Sequence, residues 1–270
     1  MHRWLKALPL ALALAALIVF ATFAASCGST NSQARFVNAI GDDTVSLDIY
    51  FNGTKVFGGV APLGDSAAYV SIPAGSDQIE GWPSGNLTTT PPSFGPVPSP
   101  VSFNSGSQYT VVAAGKLPPS TTLIVAPVDN NTAPAVGTVN FRVIDASAAG
   151  VGAVDVYIIQ NILADTPNCT LGTNCPAATI SDVSSPLSST TPYSGYVNVS
   201  YNSLDFGYTL YVTEAGSSPP TPLPGWSGGY QIQQVGSVTV GSIRTIVLVD
   251  NPGGNDGMSE AGTIVLSDLN

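Results

Sequence analysis

Short apolar runs broken by turn residues dominate this chain. Val45, Leu47, Ile49 and Phe51 alternate with Ser46, Asp48 and Tyr50, the period-two pattern of a half-buried strand. Asn52-Gly53 separates this run from Thr54-Lys55-Val56-Phe57. Asn-Gly between two such runs predicts a hairpin, because both central residues need positive φ. Further strands are expected over residues 34–39, 67–72, 77–82, 101–103, 108–113 and 122–128. Gly41-Asp42-Asp43 and Pro73-Ala74-Gly75 supply turn chemistry, and the Pro-, Ser- and Thr-rich residues 83–100 read as a long exposed connection.

The pattern then recurs. Arg35-Phe36-Val37-Asn38-Ala39, followed by Leu47-Asp48-Ile49-Tyr50, returns as Arg142-Val143-Ile144-Asp145-Ala146, followed by Val154-Asp155-Val156-Tyr157. The spacing from Arg35 to Asp48 is the same as that from Arg142 to Asp155. The stretch 106–112 aligns with 241–247, and 122–125 with 263–266. The interval from Asp155 to Gly241 is longer than the one from Asp48 to Gly106, so the second copy carries an insertion, which we place near 161–193. Insertions on one face of a repeat are where specificity tends to sit. The chain is therefore expected to be all-β, with two tandem β-sandwich domains at 34–137 and 138–270.

Composition agrees with that class. Charged residues make up only 9%, while 28 Gly and 22 Pro punctuate the runs. The formal net charge is −10, and Arg35, Lys55, Lys116, Arg142 and Arg244 are scattered along the mature chain. Nucleic-acid binding needs clustered positive charge, so no nucleic-acid partner is expected.

The start of the chain, 1–26, reads as an export signal. Arg3 and Lys6 precede an uncharged apolar run over 7–26 that ends in small residues. The run is also about long enough to span a bilayer. Ala24-Ala25-Ser26-Cys27 resembles the bacterial lipobox, although Ala24 stands where Leu is usual. That resemblance implies a signal peptide over 1–26, lipid on Cys27 and a tether over 27–33. The chain would then be a lipoprotein, membrane-anchored through Cys27 with its domains extracytoplasmic. A plain secreted chain and an uncleaved anchor are the competing readings. Cys169 and Cys175 remain, with only 170–174 between them, Gly172 included. A local disulfide is expected in an exported protein. Structural zinc needs four Cys or His ligands, and the one His of the chain, His2, lies in the leader. No metal or cofactor is expected.

Candidate chemistry is sparse. Arg35 with Asp48, and Arg142 with Asp155, are read as cross-strand ion pairs that mark the fold. Gly64-Asp65-Ser66 resembles the nucleophile block of a lipase family, but a Ser-His-acid triad cannot form in a mature chain without His. A two-carboxylate hydrolase stays formally open, with Glu80, Glu214 and Glu260 the only Glu. The stretch 250–257 holds oxygen ligands suited to Ca²⁺, yet Pro252 and Gly254 break the EF-hand spacing. An exposed turn between two strands is the preferred reading there, as at Asp42-Asp43. Trp226, Tyr230, Tyr193 and Tyr196 are candidate platforms for a glycan or a partner protein. Trp82 and Trp226 can equally be lids over a core, and the Gly, Pro and Ser flanks of Trp226 make it the more exposed of the two.

The pattern Arg-x-x-Asn/Asp-Ala, Val-Asp-x-Tyr, Asn-Gly, Pro-Ala-Gly and Tyr-Thr-Val-Val resembles the bacterial domain of unknown function 4397. It is carried by Arg35–Ala39, Asp48, Asn52-Gly53, Pro73–Gly75 and Tyr109–Val112 in the first copy. The second lacks the Asn-Gly turn and the Pro-Ala-Gly. The resemblance implies immunoglobulin-like or transthyretin-like sandwiches, in tandem on exported lipoproteins, and no established activity. Together these readings predict a non-enzymatic cell-envelope protein with a structural or protein-binding role. A carbohydrate-binding surface module is the alternative, and a carboxylate-dependent hydrolase the remote one.

Overall fold

In the computed structural model the described residues are 30–66, 68–85, 91–97, 99–118, 122–146, 153–160, 178–183, 194–200, 208–221, 230–232, 240–251 and 260–269. All regular structure among them is β, and none of them forms a helix able to cross a membrane. Residues 1–29 fall outside the description, and with them the leader and Cys27.

The first half opens with β1 (Asn31–Ile40), β2 (Leu47–Phe51) and β3 (Thr54–Val60). Asn52 and Gly53 have φ of 47° and 76°, the left-handed turn that Asn-Gly calls for. There follow β4 (Gly64–Asp65), β5 (Val70–Pro73), β6 (Gly75–Asp77), β7 (Ile79–Pro83), β8 (Val101–Phe103), β9 (Gln108–Gly115) and β10 (Thr122–Val125). One sheet runs β10-β9-β1-β4, with β5 also on β1, and a second runs β3-β2-β7. β1 pairs parallel with β9 from Gln33↔Gln108 to Ile40↔Gly115.

The second half holds β11 (Thr138–Asp145), β12 (Val154–Gln160), β13 (Ala178–Val183), β14 (Ser194–Ser200), β15 (Tyr208–Glu214), β16 (Tyr230–Ile232), β17 (Ile243–Asn251) and β18 (Glu260–Leu269). Its central pairings resemble those of the first half. β11 is parallel to β17, as β1 is to β9. β17 is antiparallel to β18, as β9 is to β10. β12 lies between β13 and β15, as β2 lies between β3 and β7. The hairpin connection of the first half is Asn52-Gly53, whereas residues 161–177 separate β12 from β13. That interval lies inside the stretch expected to hold the insertion.

Period two decides which core each residue joins. In β1, Ala34, Phe36 and Ile40 face β2, where Leu47, Ile49 and Phe51 face back. Phe57, Phe94, Phe103 and Tyr109 complete this core. Phe103 stacks on Phe51 at 5.5 Å and meets Tyr109 edge-on at 5.0 Å. Val45, expected to share this face, is 45% exposed. The strand starts only at Leu47, and the Val45 amide donates to the Asp43 carboxylate in the preceding turn.

The alternate residues of the same strands build a second buried layer. Val37, Ala39, Val112, Ala114 and Val125 of the first half pack on Ile144, Ala146, Val247, Val249 and Leu266 of the second. The β1 and β11 sheets thus stack face to face.

Candidate functional site

The same alternation overturns the expected ion pairs. Arg35 lies on the face of β1 opposite Phe36, and Asp48 on the face of β2 opposite Leu47 and Ile49. The two side chains point away from each other on opposite outer faces of the first pair of sheets, so Arg35 does not pair with Asp48. Arg142 and Asp155 repeat the arrangement, opposite Phe141 and Val156 in strands of different sheets, and the ion pair of Arg142 is with Asp129.

Asp48 instead clasps two turns. Its carboxylate accepts from Lys55 Nζ at 2.6 Å, Gly59 N at 2.9 Å, Ser84 Oγ at 2.9 Å and Gly85 N at 3.3 Å. Burial opposes the charge, but these donors outweigh it and hold the carboxyl at about 2. Asp155 accepts from Gly216 N at 2.9 Å, at the end of β15 as Gly85 is at the end of β7. Gly85 and Gly216 have φ of 80° and 71°, a conformation natural to Gly. The repeated Asp therefore closes the turn after the neighbouring strand.

The arginines meet between the halves. Arg35 Nε donates to Thr110 Oγ1 at 2.9 Å, and its Nη2 to Thr245 Oγ1 at 3.3 Å. Arg142 Nε donates to Thr245 Oγ1 at 2.9 Å, and its Nη2 to Thr110 Oγ1 at 2.7 Å. Each Thr hydroxyl in turn donates to a carboxylate: Thr110 to Asp129 at 2.9 Å, Thr245 to Asp268. A hydroxyl has one proton to give and two lone pairs to fill, so both hydroxyls use their whole capacity. The ion pairs cross: Arg35 with Asp268, Arg142 with Asp129. All four charged side chains are at most 1% exposed. Tyr69 joins the cluster, its hydroxyl donating to Asp129 at 2.5 Å beneath the Arg35 guanidinium, which sits 5.1 Å from the ring centre. Burial, and then the Asp129 charge, pushes the Tyr69 phenol above its usual range.

A cleft of about 340 Å³ opens beside the Asn52-Gly53 hairpin. Phe51, Val56, Ile72 and Pro73 give it apolar walls, and Asp77 is the carboxylate on its lining. Asn52 Nδ2 donates to Asp77 Oδ1 at 2.5 Å, and burial pushes the Asp77 carboxyl up. Ser66 has a structural occupation: its Oγ accepts from Phe36 N at 2.9 Å and donates to Ala68 O.

Cys27, Cys169, Cys175, Tyr193 and Trp226 lie outside the described residues. Tyr196 is on β14 opposite Arg142, and Tyr230 is on β16 opposite Leu210. Those strands belong to different sheets. Asp250 and Asn251 end β17, Glu260 begins β18, and 252–259 between them are outside the description. No group of three His, Cys, Asp or Glu placed to hold a metal occurs among the described residues. Thr110, Thr245, Asp129, Asp268 and Tyr69 were not singled out from the sequence. The aligned blocks at 106–112 and 241–247 held the signal, a Thr at the same place in each.

Residues 32–157 match the family model described as "Domain of unknown function (DUF4397)". The chain therefore carries a DUF4397 domain, and the match runs through β11 into β12. No curated protein matches the sequence. Among solved structures, the chain is similar to the Bacillus anthracis TIE protein at 9% identity and a TM-score of 0.24. That alignment covers 82% of this chain and 34% of the other, so the chain spans about a third of that protein's length. A putative cell adhesion protein from Bacteroides uniformis ATCC 8492 aligns at 12% identity and a TM-score of 0.22, over 89% and 97% of the two chains. A family 41 carbohydrate-binding module from streptococcal virulence factors aligns at 11% and 0.23, over 80% and 92%. At these scores the likenesses assign no function here.

Proposed function

We propose that this chain is an exported, lipid-anchored envelope protein with a non-enzymatic structural or partner-binding role, its sheets held outside the membrane by lipid on Cys27. The observation that carries the non-enzymatic part is how the buried charges are used. Arg35, Arg142, Asp129 and Asp268 bind one another between sheets, and Asp48 closes turns. The cleft beside Asn52 has one carboxylate on its lining, whereas glycoside hydrolysis by paired acids needs two facing carboxyls about 5–9.5 Å apart. The anchoring part rests on the leader and the Ala24–Cys27 block. Glycan binding through Trp226 is the second reading, supported by the Pro-Gly and Ser-Gly-Gly residues that flank it.

Metabolic labelling with an alkyne-bearing palmitate tests the anchor. The full chain is expected to take up label and to sediment with membranes, and Cys27→Ala to lose both. An unlabelled full chain in the soluble fraction would overturn the anchored reading. Sedimentation of residues 28–270 with peptidoglycan and envelope polysaccharides, beside Trp226→Ala, separates the two binding readings. Glycan binding lost in the variant would replace the partner-binding role with the carbohydrate one.

A further inference from the structure

We propose that the cleft beside the Asn52-Gly53 hairpin is a pocket for the side chain of a lysine on a protein partner. This rests on the partner-binding reading above and gives that reading a place. Two motifs read from the sequence meet here, Asn52 of the hairpin and Pro73-Ala74-Gly75. Phe51 and Ile72 are buried on the lining, while Asn52, Thr54, Pro73 and Ser76 around them are exposed. An apolar centre within a solvent-accessible polar rim is the anatomy of a recognition surface. The volume, about 340 Å³, lies at the small end for ligand pockets and suits one side chain better than a large ligand.

Asp77 decides the class of occupant. It is only 9% exposed. Among the described residues its carboxylate accepts from the neutral Asn52 amide alone, on Oδ1, which leaves Oδ2 to a ligand. A buried carboxylate is stabilised by a cation, and burial without one pushes this carboxyl up. The chain supplies no such cation among the described residues. Lys55 of the same hairpin is bound to Asp48, and no basic residue lines the cleft. Nor does the hairpin need the charge. Asn52 is held as well by Ser76 O, which accepts from its Nδ2 at 3.4 Å, and by Gln78 N, which donates to its Oδ1 at 2.8 Å. A single carboxylate oxygen suits an ammonium, a compact point charge, better than the two-pronged guanidinium of arginine. Phe51, Val56, Ile72 and Pro73 offer apolar surface to the alkyl stem of lysine, which buries its length while its head meets a polar group.

The test titrates the isotope-labelled full chain with acetyl-Ala-Ala-Lys-Ala-Ala-amide and follows its amide resonances. Saturable shifts are expected at Gly75, Ser76 and Asp77 and at the Asn52 side-chain amide. The same peptide with norleucine in place of lysine keeps the stem without the charge, and should bind about tenfold more weakly or worse. Asp77→Asn keeps an acceptor for Asn52 and removes the charge, and should weaken lysine-peptide binding roughly ten- to a hundredfold. Equal binding of the lysine and norleucine peptides to the unmodified chain would overturn the proposal, whether or not the variant folds. So would shifts that miss the cleft, or binding that a folded Asp77→Asn leaves unchanged. An arginine peptide that binds as tightly as the lysine one would overturn the choice of lysine. n-Butylammonium separates the sources of the amine. It is expected to bind more weakly than the peptide, whose backbone also meets the rim. Butylammonium binding as tight as the peptide's would overturn the protein partner in favour of a free amine. The lipid anchor and glycan binding keep their own tests, so failure here leaves them standing.

Discussion

The two outer faces of the first pair of sheets both bury charge, and they neutralise it differently. On the β1 side, Arg35 finds its carboxylate in Asp268, at the far end of the chain. On the β2 side, Asp48 draws its partners from Lys55, Gly59, Ser84 and Gly85 of the same half. A long-range buried pair fixes how one half sits on the other, because shifting either sheet would strand a charge in low dielectric. A local clasp fixes a turn and says nothing about the rest of the molecule. The aromatic core between these faces adds burial without such selectivity, since apolar contact is non-directional.

The largest effects are expected where the two halves meet. Arg142→Ala leaves Asp129 buried without its guanidinium, and should cost about 3–5 kcal/mol of unfolding free energy in urea titrations. Asp129→Leu combined with Arg142→Met should cost far less than the sum of the single changes. If the single and paired changes simply add, the crossed pairs are not what registers the halves, and the contrast drawn above between the two faces fails.

A middle-sized effect belongs to Asp48. Its carboxyl is held at about 2, below the usual 3.8, so the folded chain binds fewer protons than the unfolded one between those values. The stabilisation is therefore complete above about pH 4 and lost as the pH falls through about 2. Asp48→Asn should be less stable than wild type by about 2 kcal/mol at neutral pH. The difference should shrink below pH 4 and vanish only below about pH 2 in a pH series of urea melts. A gap undiminished at pH 2 would mean that shape, and not charge, makes the clasp.

The strands were legible in the sequence because period two and turn chemistry are local. Leu47, Ile49 and Phe51 and the Asn-Gly hairpin needed only neighbours to be read. The partners of Arg35 and Arg142 were not legible in the same way. An Arg-to-Asp spacing shared by both copies suggested a pair, but β1 and β2 fall in different sheets, with Arg35 and Asp48 on their outer sides. Asp268 is brought to Arg35 by the stacking of two sheets, which no local pattern encodes. The repeated Thr110 and Thr245 were visible in the alignment, yet Thr is common in strands for its β-branched shape alone. Only its place between two guanidiniums and a carboxylate makes it a hub.

The smallest effect sharpens the difference between local and long-range control. Gly53 sits at φ 76°, and a Cβ added there would meet nothing within 4 Å. Gly53→Ala therefore tests backbone strain with no packing term, and should cost about 1 kcal/mol. Gly81 is the contrasting case, because a Cβ there would come within 2.2 Å of Phe94 and must displace a core ring. Since the hairpin carries no contact to the second half through Gly53, Gly53→Ala should leave hydrogen-exchange protection of the β11 and β17 amides, relative to global stability, unchanged. Arg142→Ala should lower it selectively. Equal loss in both variants would show that the hairpin and the layer between the halves unfold as one unit, and that the separation argued from their hydrogen bonds does not hold in solution.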